Sequence, residues 1–423
     1  MLDSFKNTFL YSGKYKTHSE AIVISCFFNP QNSPYRIKAF NHFYDSIKHL
    51  NHQIIECVIG DSKPQLPENK NIKRVYTESL LWHKETLLNK IISELPKKYK
   101  YIFWVDADVI FTNKDWLIEA VDDFENYDTD ILQPFEYCVH LNKDELKPSF
   151  DTERYKKYES VHDPKLRHPQ MWKSFCANNE IGLSGDENYD RHGHVGFAWG
   201  AKREVLEKVP LYDKALIGGA DHIIAHAAAG HFVGNKLHSC IMKSFTDNVD
   251  EVTDWSRKFY SVVQGRISYV QGDLYHIWHG DIDKRQYLKR IQDFTSKTKG
   301  ITIKDKNGLY VTKDEDNIAY MNNYFKKREV SGDDGFLASM AIGYMTDSTL
   351  MGAALGGNIA GAMLGDMMNS GDNSTQTQKD NVEFFGGGQG GGAGSGGSFE
   401  TNNDTPTETT DNSNNIYPGS TFS

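Results

Sequence analysis

Tyr101-Ile-Phe-Trp-Val-Asp-Ala-Asp-Val-Ile-Phe-Thr-Asn113 is an apolar run that two carboxylates, one residue apart, interrupt before it resumes. Ionised Asp106 and Asp108 cannot lie inside such a run without a counter-charge. Either the strand ends there at a solvent cleft, or a bound cation neutralises the pair. Alternation along a strand puts residues two apart on one face, so both carboxylates can reach one ion or its bound water. Hard oxygen ligands at a strand's carboxyl end suit Mg²⁺ or Mn²⁺ shared with a diphosphate, because such ions keep positions for phosphate and water. That combination suggests nucleotide-sugar chemistry. The plain alternative is a strand end with two solvated acids.

The flanking sequence repeats one pattern. Ala21-Ile-Val-Ile-Ser-Cys-Phe-Phe28 is a β-branched apolar run closed by Asn29-Pro30, and a helical pattern follows over 35–50. Gln53-Ile-Ile-Glu-Cys-Val-Ile-Gly60 repeats the strand signal and ends at Asp61, and 80–95 repeats the helix signal before the Asp-x-Asp strand. Such alternation predicts an α/β fold, a mostly parallel sheet with helices on its faces. Ligands bind beyond the carboxyl ends of strands in these sheets, which is where Asn29, Asp61 and Asp106 fall.

Downstream, 135–191 is polar, aromatic and poor in periodicity, and reads as an insertion or acceptor-side region. His194-Val-Gly-Phe-Ala-Trp-Gly-Ala201 reads as a strand, with a helix from Lys202. Gly218-Gly-Ala-Asp-His222 opens an Ala-rich helix, and Tyr269-Val-Gln-Gly-Asp-Leu-Tyr-His-Ile-Trp278 is a final strand leading to His279-Gly280 and a charged helix over 283–294. The main domain is expected to cover 21–330 after a lead-in over 1–20.

The chain has 423 residues and a net charge of −10. Beyond residue 330, eleven acids face one lysine, Lys379, so that segment carries the whole net charge and the preceding part is neutral. No strong nucleic-acid signal is present, since phosphate binding draws on a basic excess. Five scattered cysteines, Cys26, Cys57, Cys138, Cys176 and Cys240, with no Cys-x-x-Cys pair, read as reduced thiols in a cytoplasmic protein, and 1–20 shows no secretion signal. Over 331–368 the chain is apolar, with Gly352 and Gly356, then Gly357, Gly361 and Gly365, four residues apart, a spacing suited to helix packing. The apolar part, 350–365, is shorter than the ~20 residues a bilayer span needs. Self-association and membrane contact are both open to it. The Gly/Ser/Thr/Asn-rich stretch 369–423 is expected to be disordered.

With these motifs in this order, the chain resembles the GT-A glycosyltransferases, specifically bacterial and viral members related to family-two enzymes. The resemblance covers roughly 22–329. It rests on Leu81-Trp-His-Lys-Glu-Thr-Leu-Leu-Asn89, the Asp-x-Asp strand, His194-Val-Gly-Phe-Ala-Trp199, Gly218-Gly-Ala-Asp221 and His276-Ile-Trp-His-Gly-Asp-Ile-Asp-Lys-Arg-Gln-Tyr287. It implies a three-layer α/β/α sandwich and a nucleoside-diphosphate sugar, a UDP-sugar first of all, bridged to the protein by Mn²⁺ or Mg²⁺. By the same resemblance Asp108 is the direct metal ligand, while Asp106 contacts ribose, donor hydroxyls or metal-bound water. The third ligand is an imidazole of the His276/His279 pair. His279 is preferred because the following glycine permits a turn back into the cleft, and the alternative for His276 is a core strand histidine.

Lys84 and Asn89 could steady phosphate or ribose, or lie on a solvated helix face. Arg285 could offset charge on the departing nucleoside diphosphate, or be a surface charge. An acceptor hydroxyl has a high pKa, so an inverting transfer needs a carboxylate to take its proton, and the resemblance puts Asp221 there. Asp221 could instead cap the helix that follows. His222 and His226 at i and i+4 lack the glutamate of a His-Glu-x-x-His site, where Ile223 stands, and read as helix-packing residues. No P-loop and no Gly-x-Gly-x-x-Gly turn follows the first strand.

The expected function is metal-dependent transfer of a sugar to a hydroxyl acceptor: a surface glycan, a lipid-linked glycan, a protein or a modified nucleobase. The alternatives are a non-catalytic nucleotide-sugar-binding or assembly module that uses the glycine-spaced segment and tail, and a nucleotidyltransferase.

Overall fold

β1 (Ala21–Phe28) is apolar at nearly every position, as a strand covered on both faces must be. Asn29 then turns the chain: its Oδ1 accepts from the Ser33 N–H at 3.0 Å, and Pro34 starts α1 (Pro34–Ile47) with its φ already helical. Ala39, Phe40, Phe43 and Ile47 form the buried stripe of α1. β2 (His52–Ile59), β3 (Ile72–Thr77), α2 (Lys84–Glu94) and β4 (Tyr101–Val105) follow, then β5 (Val109–Phe111), α3 (Trp116–Asn126), β6 (Ile131–Gln133) and β7 (Tyr137–His140). Next come α4 (Thr152–Glu159), β8 (Met171–Lys173), α5 (Phe175–Glu180), β9 (Ala198–Lys202), α6 (Arg203–Lys208) and α7 (Ala220–Ala229). α8 (Val249–Val263), β10 (Ile267–Tyr269), β11 (Asp273–His276) and α9 (Glu315–Glu329) complete the elements among the described residues. The computed structural model describes residues 14–159, 168–180, 193–231, 249–280 and 301–329.

Seven strands form one sheet in the order β10-β6-β9-β4-β1-β2-β3. All neighbours are parallel except β9, which runs antiparallel to both β4 and β6. Strand alternation divides the core between two faces. Val23, Phe103 and Val105 pack with Phe40 and Phe43 of α1 and with Trp116 and Phe124 of α3. Ile22, Ile24, Ile102 and Trp104 pack with Leu87 and Ile91 of α2, Ile224 of α7 and Phe259 of α8. Each such fully buried side chain contributes roughly 1.5–3 kcal/mol. The result is the expected three-layer α/β/α sandwich with a mostly parallel central sheet.

The chain passes from the large sheet to a second one at two places. The run 101–111 splits at Asp106-Ala107-Asp108, so that β4 belongs to the large sheet and β5 to a second sheet of order β5-β11-β7-β8. The run 269–278 splits in the same way between β10 and β11, at Gly272. A Cβ on Gly272 would stand 2.8 Å from the Cβ of Asn113, so the crossing needs glycine. The stretch 135–191, which lacks periodicity, supplies β7 and β8 of the second sheet; such short strands leave little pattern to read.

Phe325 of α9 packs against Phe28 and stacks on Trp82, tying this helix to the strand and loop that carry them. Arg285, Cys240, the helix expected over 283–294, the glycine-spaced segment and the tail lie outside the described residues. Among the described residues no helix is long and apolar enough to cross a membrane. Among the described residues Cys26, Cys57, Cys138 and Cys176 form no disulfide.

Candidate active site

The order β4-β1-β2 aligns the carboxyl ends of three parallel strands, and with them Asp106, Asn29 and Asp61. Asp61 is exposed just beyond β2. The Asp-x-Asp turn is pinned on both sides: the Asp106 N–H donates to the Phe197 carbonyl at 2.7 Å, and the Asp108 carbonyl accepts from the Ile277 N–H at 2.9 Å. The chain turns here instead of running on as a strand, and the nearest ionic neighbours of the two carboxylates differ.

Asp108 faces the two histidines. β11 pairs antiparallel with β5, setting His276 opposite Val109, and the Gly280 turn follows His279. Asp108 Oδ2 lies 2.9 Å from His279 Nε2 and 3.8 Å from His276 Nε2, and one donor atom from each of the three residues lies within 4.8 Å of the others. Both imidazoles are buried. Both histidines of the pair lie near Asp108, His279 the nearer of the two. One carboxylate oxygen and two imidazole nitrogens so placed are a donor set that fits a divalent cation.

Asp106 meets Lys84 instead. Lys84 Nζ lies 2.8 Å from Asp106 Oδ1 and 3.1 Å from Asp221 Oδ2, so one ammonium joins two carboxylates. Burial works against its charge, but Asp106, Asp221 and Glu85 outweigh that and hold the Lys84 pKa well above its ordinary value. For Asp221, burial raises the pKa and Asp106 adds to the rise, while Lys84 opposes it; the net direction is up. Glu85, beside Lys84 on α2, is only 3% exposed, and burial pushes its pKa up to about 8 against the pull of Lys84.

Asp221 does not take the capping position. Gly219 caps α7 with φ +98°, a value costly for any residue with a Cβ, and Asp221 sits in the first turn with its side chain on Lys84. Gly196 lies between Asp221 and His194: a Cβ there would stand 3.7 Å from Asp221 Oδ2 and 3.3 Å from His194 Cε1. Asn89 has other work. Its Nδ2 donates to the Leu211 carbonyl at 2.8 Å and its Oδ1 accepts from the Leu211 N–H at 3.0 Å, so its amide joins α2 to the loop before α7. His226 packs on Phe175, with His231 Nδ1 2.9 Å from its own Nδ1.

Phe197 is a site neighbour that the sequence did not single out. Its φ is +77°, and the Ala198 N–H donates to the Gly196 carbonyl at 3.1 Å, the hydrogen bond of a γ-turn. The positive-φ γ-turn is the rare, strained form. Strain of this kind costs about 1–3 kcal/mol and persists only where surrounding contacts impose it. Nothing in a single sequence marks a phenylalanine as left-handed.

No known protein family matches this chain, and no curated protein does. Among solved structures, the glucosyl-3-phosphoglycerate synthase of Mycobacterium tuberculosis in complex with Mn²⁺, UDP-glucose and glycerol 3-phosphate shares 10% identity, over 66% of this chain and 78% of that one, with a TM-score of 0.30. The mannosyl-3-phosphoglycerate synthase from Rubrobacter xylanophilus shares 11%, over 68% and 78%, at 0.30. The 4-diphosphocytidyl-2C-methyl-D-erythritol synthase from Anaerococcus prevotii shares 11%, over 73% and 97%, at 0.28. Likenesses this loose carry no chemistry, so a functional reading has to stand on the chain's own residues.

Proposed function

We propose that this protein is a metal-dependent glycosyltransferase that moves a sugar from a nucleoside-diphosphate donor, a UDP-sugar first of all, to a hydroxyl acceptor. The observation that carries the reading is the convergence of Asp108, His276 and His279, from two strand ends more than 160 residues apart in the chain, on one donor set. The order of motifs in the sequence supports the same assignment.

Asp108, His276 and His279 would hold the ion, which would neutralise the donor diphosphate and the nucleoside diphosphate that leaves. Two nitrogens against one carboxylate favour Mn²⁺ over Mg²⁺, whose preferred ligands are oxygens. Asp106 and Asp61 stand at the ends of β4 and β2, on either side of β1, and are assigned to donor hydroxyls or ribose. Asp221 takes the acceptor hydroxyl's proton. Its raised pKa suits that task, because a base works best when its pKa lies closer to the working pH than that of an ordinary aspartate. Lys84 keeps Asp221 and Asp106 in fixed relation and is not assigned to phosphate.

The test incubates the purified chain with a panel of UDP- and GDP-sugars, with Mn²⁺ and with EDTA, and follows sugar loss by mass spectrometry. Sugar loss that depends on Mn²⁺ and disappears in Asp108→Ala is expected. Equal, metal-independent turnover by the wild type and Asp108→Ala would sink the proposal.

A further inference from the structure

Phe197 joins both halves of the site without itself carrying any polar chemistry. Its carbonyl extends the β9–β4 ladder by one bond, to the Asp106 N–H at 2.7 Å. Its ring lies between two imidazoles: His194 at 4.1 Å between centroids and 10° between planes, and the candidate ligand His276 at 4.9 Å and 23°. His140, itself buried, packs on His276 at 4.8 Å and on Phe197 at 5.3 Å, so the three rings form one cluster. His276 therefore packs against two rings, and Phe197 also touches the Asp-x-Asp turn through its backbone.

A phenylalanine gains nothing locally from φ +77°, and Gly196 next to it could have taken that conformation at lower cost. The left-handed turn instead falls on the residue whose ring meets His276. An ordinary extended residue 197 would prolong β9 and send the preceding chain, with His194, along the sheet.

We propose that Phe197 is a positioning residue for the metal centre, its strained γ-turn setting the ring flat against His276 while its carbonyl anchors Asp106. The inference rests on the metal reading above. It concerns how tightly the ligands are held before an ion arrives. Neighbours that orient a metal-ligating histidine typically alter metal affinity by about 10–100-fold.

The experiment measures Mn²⁺ binding to the full chain in the presence of UDP, by the loss of the free aquo-Mn²⁺ electron paramagnetic resonance signal. Phe197→Gly keeps the left-handed backbone and removes the ring, whereas Phe197→Tyr keeps a flat ring. Binding about tenfold weaker in Phe197→Gly, with Phe197→Tyr within about twofold of wild type, is expected. If the glycine variant does not fold, as judged by circular dichroism, Phe197→Leu replaces it, keeping bulk without a flat face, with the same weakening expected. Equal Mn²⁺ affinity in wild type and the folded ring-less variant overturns the positioning role and leaves the metal centre standing. A wild type that binds no Mn²⁺ overturns both.

Discussion

Between Asp106 and Asp221 stands a single ammonium, that of Lys84, and this contact separates the roles of residues that look interchangeable in the sequence. A base assigned to Asp221 can be removed without disturbing the ion's ligands, because the two sets share no side chain. Asp221→Asn is expected to lower kcat for sugar transfer by about 10²–10⁴-fold, with Mn²⁺–UDP affinity, read by calorimetry, nearly unchanged. A parallel loss of nucleotide affinity would place Asp221 in donor binding instead. Glu85 supplies a pH signature. Its pKa is 4.5 when unperturbed and about 8 in the fold, so the folded state binds the extra proton between those values. The stabilisation is then fully present below pH 4.5 and is lost as pH rises through about 8. Urea midpoints should fall from pH 5 to pH 9 in the wild type and fall less steeply in Glu85→Gln. Parallel slopes in the two proteins would show that Glu85 is not the group responsible.

At the scale of elements, α2 carries Lys84, Glu85 and Asn89, yet only the first turn points at the site. Asn89, one turn further on, closes two hydrogen bonds with the backbone of Leu211 and so fixes the segment that leads to Asp221. Removing its amide leaves a backbone donor and acceptor unmatched, at a cost of roughly 1–3 kcal/mol. Asn89→Ala should therefore lose stability by that order in urea unfolding while each folded molecule keeps its affinity for Mn²⁺ and UDP. Weaker nucleotide binding at unchanged stability would return Asn89 to the cleft. The antiparallel strand β9 has a comparable double role. It completes the large sheet through Trp199, stacked on Trp104, and its start brings Phe197 to Asp106.

For the whole molecule, the candidate ligands come from the ends of two strands in the second sheet, so an ion there would link distant parts of the chain and bind only the folded form. Mn²⁺ at 100 times its dissociation constant should add about 2.7 kcal/mol to the unfolding free energy. The thermal midpoint should rise with Mn²⁺, return with EDTA, and not respond in Asp108→Ala. The alternation of apolar strands with amphipathic helices was sufficient to read a mostly parallel sheet with helices on its faces, because burial on both faces leaves a continuous apolar run in central strands such as β1 and β4. Asp106 and Asp108 were legible as candidates because charge in an apolar run has few bland explanations, whereas Asp221 and the two histidines were singled out by the family resemblance. What was not legible is which groups meet. Period-two alternation placed Asp106 and Asp108 on one face, but a turn between two sheets sent them to different partners, and no local pattern encodes where a strand changes sheet. The contacts of Asn89 and the conformation of Phe197 were not legible for the same reason: a backbone partner 122 residues away and a left-handed φ are imposed by packing. The sequence alone thus determined the fold class and the chemical types at the cleft. Only the tertiary structure decided their pairing, because hydrogen bonds and ion pairs between distant segments depend on where the chain returns.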